Sequence, residues 1–418
     1  MLCCHVPIGI RCVVDRFKDL FEGRSGSYNN LCALFCLFLF GLDELSSVVR
    51  TCPWSHSVSD LSRSVRCFNS NRFMRRLRSS ILNKYKKEGF SSGNFCYAVD
   101  DTANPKYGKS IFRCGPWHSS GGAYHGQKIL VIALIDIVRG IAIPVGYAIV
   151  AKEEDPAYIP AHKLACEILK CVILDGFPRI PVAADSWFDS VEFMADLEDM
   201  GLHFAGEIKG NRKVKPCPTP KVSWRNLPDI FQCLPRFRAH SRLDSKEVRA
   251  GTKRAKCFSQ RRIWIKKRKS PITVIAIYNR MNSTEAFAYY ATTDLSMAGS
   301  TLWETSRARW KIECLFRDLK QSLSFGRLPC VGPEAAHLSV CIPFCLIASL
   351  RLDDVARWGL VKTGSIGNLV GQIREITLNK SIATILNDRH SGLICKLRGR
   401  RHINRLNQKP VDQPAEVA

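Results

Sequence analysis

The 418-residue sequence predicts an α/β core that is interrupted by a β-rich insertion and flanked by helical regions. Between residues 95 and 209 the apolar pattern follows the order three strands, helix, strand, helix, strand, which is typical of a sheet with helices packed on it. A chain of this length suits two or three domains of about 100–200 residues each. The predicted boundaries are 1–94 for a helical N-terminal region, 95–209 with 296–325 for the core, 210–295 for the basic insertion, and 326–418 for a helical C-terminal region with a basic tail.

The first 94 residues lack strand alternation and carry apolar residues at helical spacings. Their most apolar stretch, Leu31–Leu42, is about 12 residues long, whereas a helix needs roughly 20 residues to span a bilayer, so we interpret it as a buried helix. The first residues do not resemble a signal peptide, because no basic segment precedes a long apolar one. The basic stretch Arg72–Lys87 has two interpretations, a solvated surface helix or a helix along a phosphate backbone.

The core contains five predicted strands and two predicted helices. Two long apolar runs joined at Arg139-Gly140 predict a β-hairpin. Gly201 follows the second helix, in a typical position just past a helix end. In chain order the elements are strands at Phe95–Asp100, Lys128–Ile137 and Ile141–Lys152, a helix at Ala161–Leu174, a strand at Arg179–Asp185, a helix at Ser190–Met200 and a strand at His203–Lys209.

The segment after the fifth strand is strongly basic. Residues 205–280 hold 21 Lys and Arg against 4 Asp and Glu, and prolines between positions 216 and 235 exclude a long helix there. Pro271–Tyr278 and Ala286–Thr292 look like paired strands. Helical spacing resumes at about Ser300–Leu323 and again in the apolar, Cys-rich stretch Ala335–Leu350, before the basic tail Lys396–Lys409.

The net charge of the whole chain is +25, from 62 Lys and Arg against 37 Asp and Glu. A charge this large points to a polyanionic partner, either nucleic acid or an anionic membrane surface. We find no amphipathic anchor, so nucleic acid is the expected partner and a membrane is not. The 19 cysteines include no CxxC pair and no quartet with the usual zinc-ligand spacing. A reduced, cytoplasmic protein is therefore expected.

Two acidic residues close apolar strands of the predicted core. Asp100 ends the first strand and Asp185 ends the fourth, where an acid is costly unless it is paired or binds a metal. A strand-end acid that faces solvent or forms a turn is the alternative for each. Asp101 is a rival for Asp100, and Asp189 is a weaker rival for Asp185.

A third acidic residue lies on the predicted helix at 302–323. At about 100° per residue, Arg309, Glu313 and Lys320 fall within roughly 40° of one another, along the edge of the apolar face. An acid flanked by two cations at that edge can bind a metal while the cations hold phosphates. The alternative is an ordinary ladder of surface ion pairs, since charge pairs four residues apart are common on helices.

These residues resemble the motifs of a known family. Arg309-x3-Glu313-x6-Lys320 resembles the Y-x2-R-x3-E-x6-K signature of a large family of bacterial insertion-sequence transposases, the DDE enzymes with a ribonuclease H-like core. Asp100-Asp101-Thr102 resembles the first motif of that family, and Ala184-Asp185-Ser186-Trp187-Phe188 resembles the second. The family also tends to carry a β-rich insertion between the second Asp and the Glu. The resemblance covers about residues 95–325, and it departs at Ser306, where the signature has Tyr.

The resemblance implies that Asp100, Asp185 and Glu313 bind two Mg²⁺ or Mn²⁺ ions, and that Arg309 and Lys320 contact DNA phosphates near the cut. Two divalent ions and oxygen ligands are what phosphodiester chemistry on DNA requires. The basic segment that contains Lys209 and Arg212 leaves the same sheet, so we interpret these two residues as further phosphate contacts, with a basic turn into the insertion as the alternative.

The expected reaction is cleavage of DNA at the terminal inverted repeats of an insertion sequence, followed by attack of the freed 3′-hydroxyl on target DNA. The expected partners are those DNA ends, the target DNA and a second copy of the chain, in the cytoplasm at the nucleoid. One alternative is a catalytically inactive DNA-binding protein derived from such an enzyme, which the Ser306 departure favours. A nuclease with the same core but no strand transfer is another.

Overall fold

The computed structural model describes residues 6–21, 27–42, 44–52, 54–55, 57–88, 94–108, 110–119, 122–232, 234–238, 256–328, 331–353, 358, 360 and 364–387. The predicted basic tail, Lys396–Lys409, lies outside these ranges. The chain divides into two compact units, one made of residues 1–67 with 354–418 and the other of residues 68–353.

The unit that joins the two ends of the chain is helical in its described part. Helix α2 carries the apolar stretch, and its residues from Leu31 to Phe40 are buried, which confirms the buried helix predicted at Leu31–Leu42. The C-terminal helix packs on α2, and the Arg374 guanidinium donates a hydrogen bond to the Leu39 carbonyl. The helices of this unit are α1 (Ile8–Val14), α2 (Ser27–Phe40), α3 (Leu45–Thr51), α4 (Val58–Arg66) and, after the core, α12 (Ile366–Asn387).

The larger unit is built on a mixed sheet. Its central strand β1 pairs antiparallel with β3 on one side and parallel with β5 on the other, and β3 also pairs with β2 and β4. The β3–β4 hairpin turns at Gly140, whose φ of 65° suits a glycine. The strands are β1 (Phe95–Pro105), β2 (Gly115–Ser119), β3 (Gly122–Asp136), β4 (Ile141–Ile149) and β5 (Val182–Ala184).

A second sheet holds the strands of the basic segment. Strand β6 (Ala205–Ile208) contacts β5 through a parallel bridge between Val182 and Phe204, and it pairs antiparallel with β11. The sheet continues from β11 through β10 and β9 to β7. The strands predicted at 271–278 and 286–292 are therefore present and paired as expected. The remaining elements are β7 (Val214–Lys215), α8 (Leu227–Phe231), β8 (Phe237–Arg238), β9 (Cys257–Ile265), β10 (Ile272–Tyr278) and β11 (Ala288–Thr292).

Six further helices pack on these sheets. They are α5 (Ser70–Glu88), α6 (Ala161–Leu174), α7 (Val191–Asp199), α9 (Gly299–Ala308), α10 (Trp310–Ser322) and α11 (Pro333–Leu352). Helices α6 and α10 both contact β3 and β4, and α9 contacts β5, β6 and β11. Together with the sheets they form the α/β, ribonuclease H-like core that the sequence predicts, with helices before and after it.

The basic helix α5 belongs to the core unit. Arg78 is buried, and its guanidinium lies 2.6 Å from Asp175. Arg75 contacts the same carboxylate at 3.2 Å. The sequence allowed a solvated surface helix or a helix along a phosphate backbone. Neither interpretation applies to Arg78, because its charge is paired with Asp175 inside the protein.

The structure differs from the prediction at two predicted elements and at one strand that was not predicted. Strand β1 continues past Asp100 to Pro105, because residues 100–105 pair with residues 126–131 of β3. Strand β2 was not predicted, since it is short, contains Pro116 and pairs only with β3. The helix predicted at 300–323 is two helices that meet at Arg309, where the Ile312 amide bonds the Arg309 carbonyl in a tighter, three-residue turn.

Helix α11 is, within the described residues, long and apolar enough to cross a membrane by length and composition. Its most apolar window is 83% buried inside the protein. The bent pair formed by Tyr28–Phe40 and Leu45–Thr51 passes the same test only if it is counted as one span. The burial of α11 is that of a core helix.

Candidate active site

The two predicted aspartates lie on neighbouring parallel strands. Strands β1 and β5 pair with Val99 opposite Ala184, so the next residue on each strand is Asp100 and Asp185. Neighbouring strands are about 4.8 Å apart. Strand β5 ends at Ala184, and Asp100 follows the last residue of β1 that pairs with β5. Strand β1 itself continues past Asp100, where it still pairs with β3. This register brings the two carboxylates together at one edge of the sheet.

Glu313 joins this edge through an arginine. The Arg309 guanidinium lies between two carboxylates, with Nη1 2.7 Å from Asp100 Oδ2 and Nη2 3.0 Å from Glu313 Oε1. Although Arg309 interrupts the helix, its own backbone remains helical, with φ −49° and ψ −39°, and it still reaches the residue four positions on. The structure therefore brings Asp100, Asp185, Glu313 and Arg309 into one cluster.

Burial changes the acidity of both aspartates. Desolvation raises the pKa of Asp100 to about 7, although the Arg309 charge opposes this shift and the Asp101 amide donates a 2.8 Å hydrogen bond to Asp100 Oδ1. Desolvation also raises the pKa of Asp185, against the hydrogen bond from the Trp187 amide. Perturbed carboxylates in contact with one another are typical of functional sites.

The raised pKa of Asp100 predicts a pH-dependent stability. In the folded state the Asp100 carboxyl keeps its proton up to about pH 7, whereas in the unfolded state it loses the proton near pH 4. The free energy of unfolding is therefore highest below about pH 4 and falls as the pH rises to about 7. An Asp100→Asn variant stays neutral and escapes this loss. Thermal unfolding in the presence of a chelator should give the variant a Tm advantage that grows from pH 5 to pH 8 by at least about 2 °C, the shift that 1 kcal/mol produces in a domain of this size.

The matched control is Asp199→Asn, which changes an exposed acid at the end of α7. Its Tm difference from the parent should not vary with pH. An Asp100→Asn curve that stays parallel to the parent curve would contradict the buried, protonated Asp100.

The two rival acids have other partners. Successive residues of a strand point to opposite faces, so Asp101 faces away from Asp100, and its carboxylate lies 2.8 Å from Lys128 Nζ. Asp189 is buried, accepts a 3.1 Å hydrogen bond from the Lys209 amide and pairs with Arg212. The geometry therefore favours Asp100 and Asp185 over their rivals.

The four predicted phosphate contacts differ in their surroundings. Arg309 is held by the acids, and Arg212 is held by the side chain and carbonyl of Asp189. The Lys209 ammonium lies 5.8 Å from the ring centre of Trp187, two residues beyond Asp185. Lys320 follows Glu313 by seven residues, about 10 Å along the helix, and its burial lowers its pKa. Lys209 is thus beside the acids, whereas Lys320 is not in contact with them.

Ser306, at the signature Tyr position, is buried. It is 7% exposed, and within the described residues its hydroxyl has no hydrogen-bond partner. The side chain is therefore enclosed at its position in α9. Its burial does not favour a hydrogen bond from this hydroxyl to a DNA phosphate.

Sequence reasoning missed two residues of the cluster. Glu207 on β6 lies in the electric fields of Arg309 and Asp185, and Tyr290 is its cross-strand neighbour on β11. Burial, together with the Glu207 charge, raises the pKa of Tyr290 to about 12. An acid within the predicted strand His203–Lys209 was the available signal for Glu207, but this acid does not end its strand, unlike the two aspartates. Nothing in the sequence marked Tyr290.

The donors of this cluster suit a hard divalent cation, because all are carboxylate oxygens. Among the residues that the structure describes, no three His, Cys, Asp or Glu side chains converge closely enough to hold a metal ion. A cationic group, the Arg309 guanidinium, already lies between Asp100 and Glu313. The residues fit Mg²⁺ or Mn²⁺ by their chemistry, and Arg309 would have to give up one of its partners for such an ion to enter.

An aromatic groove lies next to this edge of the sheet. Its volume is about 510 Å³, and its lining includes Asp101, Trp117, Lys152 and Trp187. Trp187 is 86% exposed, and Lys152 Nζ lies 3.9 Å from the ring centre of Trp117. Exposed aromatic rings flanked by lysines suit contact with nucleotide bases and phosphates.

A ribonuclease H-like sheet with carboxylates at one edge and a glutamate from a packed helix defines a class of phosphodiester-processing proteins. The sequence of residues 115–348, more than half of the chain, matches the family described as the transposase DDE domain. The chain therefore belongs to the family of DDE transposases, which confirms the expected class of protein, whereas the Y-x2-R-x3-E-x6-K signature stays a prediction. Asp185, Arg309 and Glu313 lie within the matched range, and Asp100 lies upstream of it.

Among solved structures, the chain is similar to a piggyBac transposase in a synaptic complex with hairpin DNA. The identity is 12% and the TM-score is 0.44, over 97% of this chain and 84% of the other. No curated protein matches the sequence.

Proposed function

We propose that the protein is an active transposase that cleaves DNA at the ends of an insertion sequence and joins the freed ends to target DNA. The observation that carries this proposal is the register of β1 and β5, which sets Asp100 beside Asp185, together with the contact of Arg309 to both Asp100 and Glu313. Family membership supports the general class of reaction, and this geometry supports our proposal that Asp100, Asp185 and Glu313 carry it.

In the proposed mechanism Asp100, Asp185 and Glu313 would hold two Mg²⁺ or Mn²⁺ ions. When bound, two such ions activate the attacking oxygen and stabilise the leaving oxygen of a phosphodiester. Arg309 and Lys209 orient the scissile phosphate, because cations beside the acids attract the DNA backbone. Water attacks the phosphodiester at the element end and breaks its P–O3′ bond, which leaves a 3′-hydroxyl and a 5′-phosphate. That 3′-hydroxyl then attacks a target phosphodiester, forms a new P–O bond and displaces the 3′-hydroxyl of the target strand. Neither step requires a covalent bond to the protein.

We further propose that the DNA partners are the terminal inverted repeats and the target site, and that two copies of the chain act together on paired ends. Residues 1–94 would bind the ends, 95–209 with 296–325 would carry the reaction, 210–295 would contact DNA as a basic insertion, and 326–418 would complete the helical frame. The site of action is the cytoplasm, at the nucleoid.

The test uses the full chain and the DNA that flanks its reading frame, where inverted repeats identify the ends. The parent should cut a labelled end only with Mg²⁺ or Mn²⁺, stop on addition of EDTA, and yield joined products with a target plasmid. Asp185→Asn should give neither product. A parent that cuts but never joins would identify the nuclease alternative.

A second candidate is a DNA-binding protein without catalytic activity. The specific observation in its favour is Ser306, whose buried hydroxyl offers neither an aromatic ring nor an exposed donor at the signature position. A parent that binds the ends but never cuts them would establish this candidate. Ser306→Tyr would then be the first substitution with which to restore activity.

A further inference from the structure

Glu207 continues the row of acids across the sheet. Strands β5 and β6 are bridged in parallel at Val182 and Phe204. The same register sets Asp185 opposite Glu207, just as the register of β1 and β5 sets Asp100 opposite Asp185. The three acids therefore occupy equivalent positions on three successive strands, with Asp185 in the centre.

A glycine next to Glu207 permits this close approach. A Cβ atom on Gly206 would lie 2.3 Å from the Ala184 carbonyl oxygen, a distance that real side chains do not tolerate. Any other residue at position 206 would push β6 away from β5. Glycine at this position keeps Glu207 at the edge that carries Asp185.

Arg309 is the charged group that affects Glu207 most strongly, and Asp185 follows. Yet the guanidinium donates to Asp100 and Glu313, and the described residues include no hydrogen-bond or ion-pair partner for the Glu207 carboxylate. Glu207 is thus a carboxylate beside an arginine that is bound to two other acids. Those two acids are the ones that the proposed function requires as metal ligands.

We propose that Glu207 is a positioning residue that forms an ion pair with the Arg309 guanidinium when Asp100 and Glu313 bind the divalent ions. Carboxylates that bind a divalent ion lose affinity for a neighbouring guanidinium, because the two cations repel. Glu207 then holds the released guanidinium at the cluster, and its remaining N–H groups stay available for a phosphate oxygen. This inference rests on the proposed function, and it assigns a role to a side chain outside the three motifs.

The experiment is a double-mutant cycle with Mn²⁺ binding as its readout, measured on the full chain by the electron paramagnetic resonance signal of free Mn²⁺. Glu207→Gln should weaken Mn²⁺ binding about tenfold, the lower end of the effect of removing a residue that orients metal ligands. Arg309→Met should tighten binding, because the competing cation is gone. In the Arg309→Met background, Glu207→Gln should have no effect. Arg309→Gln replaces Arg309→Met in the cycle if the latter does not fold.

The outcomes separate this role from others. Weakening by Glu207→Gln in both backgrounds would make Glu207 a metal ligand and overturn the arginine role, as would no weakening in either background. Glu285→Gln, an exposed acid of the insertion, is the matched control and should not change Mn²⁺ affinity. A parent that binds no Mn²⁺ would overturn the proposed function itself, whereas a parent whose binding depends on Glu313 but not on Glu207 would overturn only this inference.

Discussion

A Glu313→Gln variant is expected to lose at least about 10³-fold in the rate of DNA cleavage while it binds element ends as the parent does. The substitution keeps the size of the side chain and its ability to accept a bond from Arg309, which lies 3.0 Å away. It removes the negative charge that a hard divalent cation needs. Cleavage of a labelled end with Mn²⁺ and a gel-shift titration of the same DNA measure the two effects separately.

Arg309→Ala is the informative partner of this variant. It removes a cation that we assign to the DNA phosphate, so end binding and cleavage should both weaken, in contrast to Glu313→Gln. Equal cleavage by Glu313→Gln and the parent would show that Glu313 is not a metal ligand. Loss of end binding in Glu313→Gln would show instead that the residue acts on DNA or on the fold.

The second large effect concerns salt. We expect end binding to weaken by about 10³–10⁵-fold between roughly 50 and 200 mM salt, the range for 6–10 phosphate contacts. Residues 205–280 carry 21 Lys and Arg against 4 Asp and Glu, and Lys266 and Lys269 are exposed just beyond β9. Replacing both lysines with Gln should make the negative slope of log affinity against log salt shallower by about 1.8, or about 0.9 for each phosphate contact that is lost.

Substitution is a better test than deletion of the insertion. Phe258, Ile275 and Ile277 on its strands share a buried cluster with Leu302 and Trp303 of α9, so a deletion would expose the core. Arg268 is also unsuitable, because it is buried and lies 2.6 Å from Glu198. Lys170→Gln on α6 with Lys380→Gln on α12, two exposed lysines outside the insertion, is the matched control. A slope that changes equally in both pairs would mean that the insertion is not the main contact surface.

The sequence predicted the elements whose signal is local. Helix α6 has the bounds that its apolar spacing indicated, and the hairpin turns at Gly140 as expected. Strand β1 was predicted too short, because its second half holds its place by pairing with β3, a partner that a pattern within one strand cannot reveal. The break between the helices at Arg309 was also missed, because the spacing of apolar residues is the same for a tightened turn and for a continuous helix.

The candidate site divides along the same line. Asp100 and Asp185 were identified because each ends an apolar run, and Glu313 because of its helical spacing. The structure brings these three acids together around Arg309. Glu207 was missed because it joins them only through the register of a third strand. The roles assigned to these side chains stay predictions until the variants are measured.

Strand β6 is a member of both sheets, since it is bridged to β5 on one side and hydrogen-bonded to β11 on the other. The edge that carries the carboxylates and the basic strands are therefore connected directly through β6. A displacement of β9 or β10 would reach the backbone of Gly206 and Glu207 through β11. Gly206 is packed so closely on the Ala184 carbonyl that it leaves little space for β6 to move towards β5. If the basic strands bind DNA as proposed, we expect a bend or pull on that DNA to change the spacing between Glu207 and Asp185, so that DNA binding and the geometry of the carboxylates would vary together.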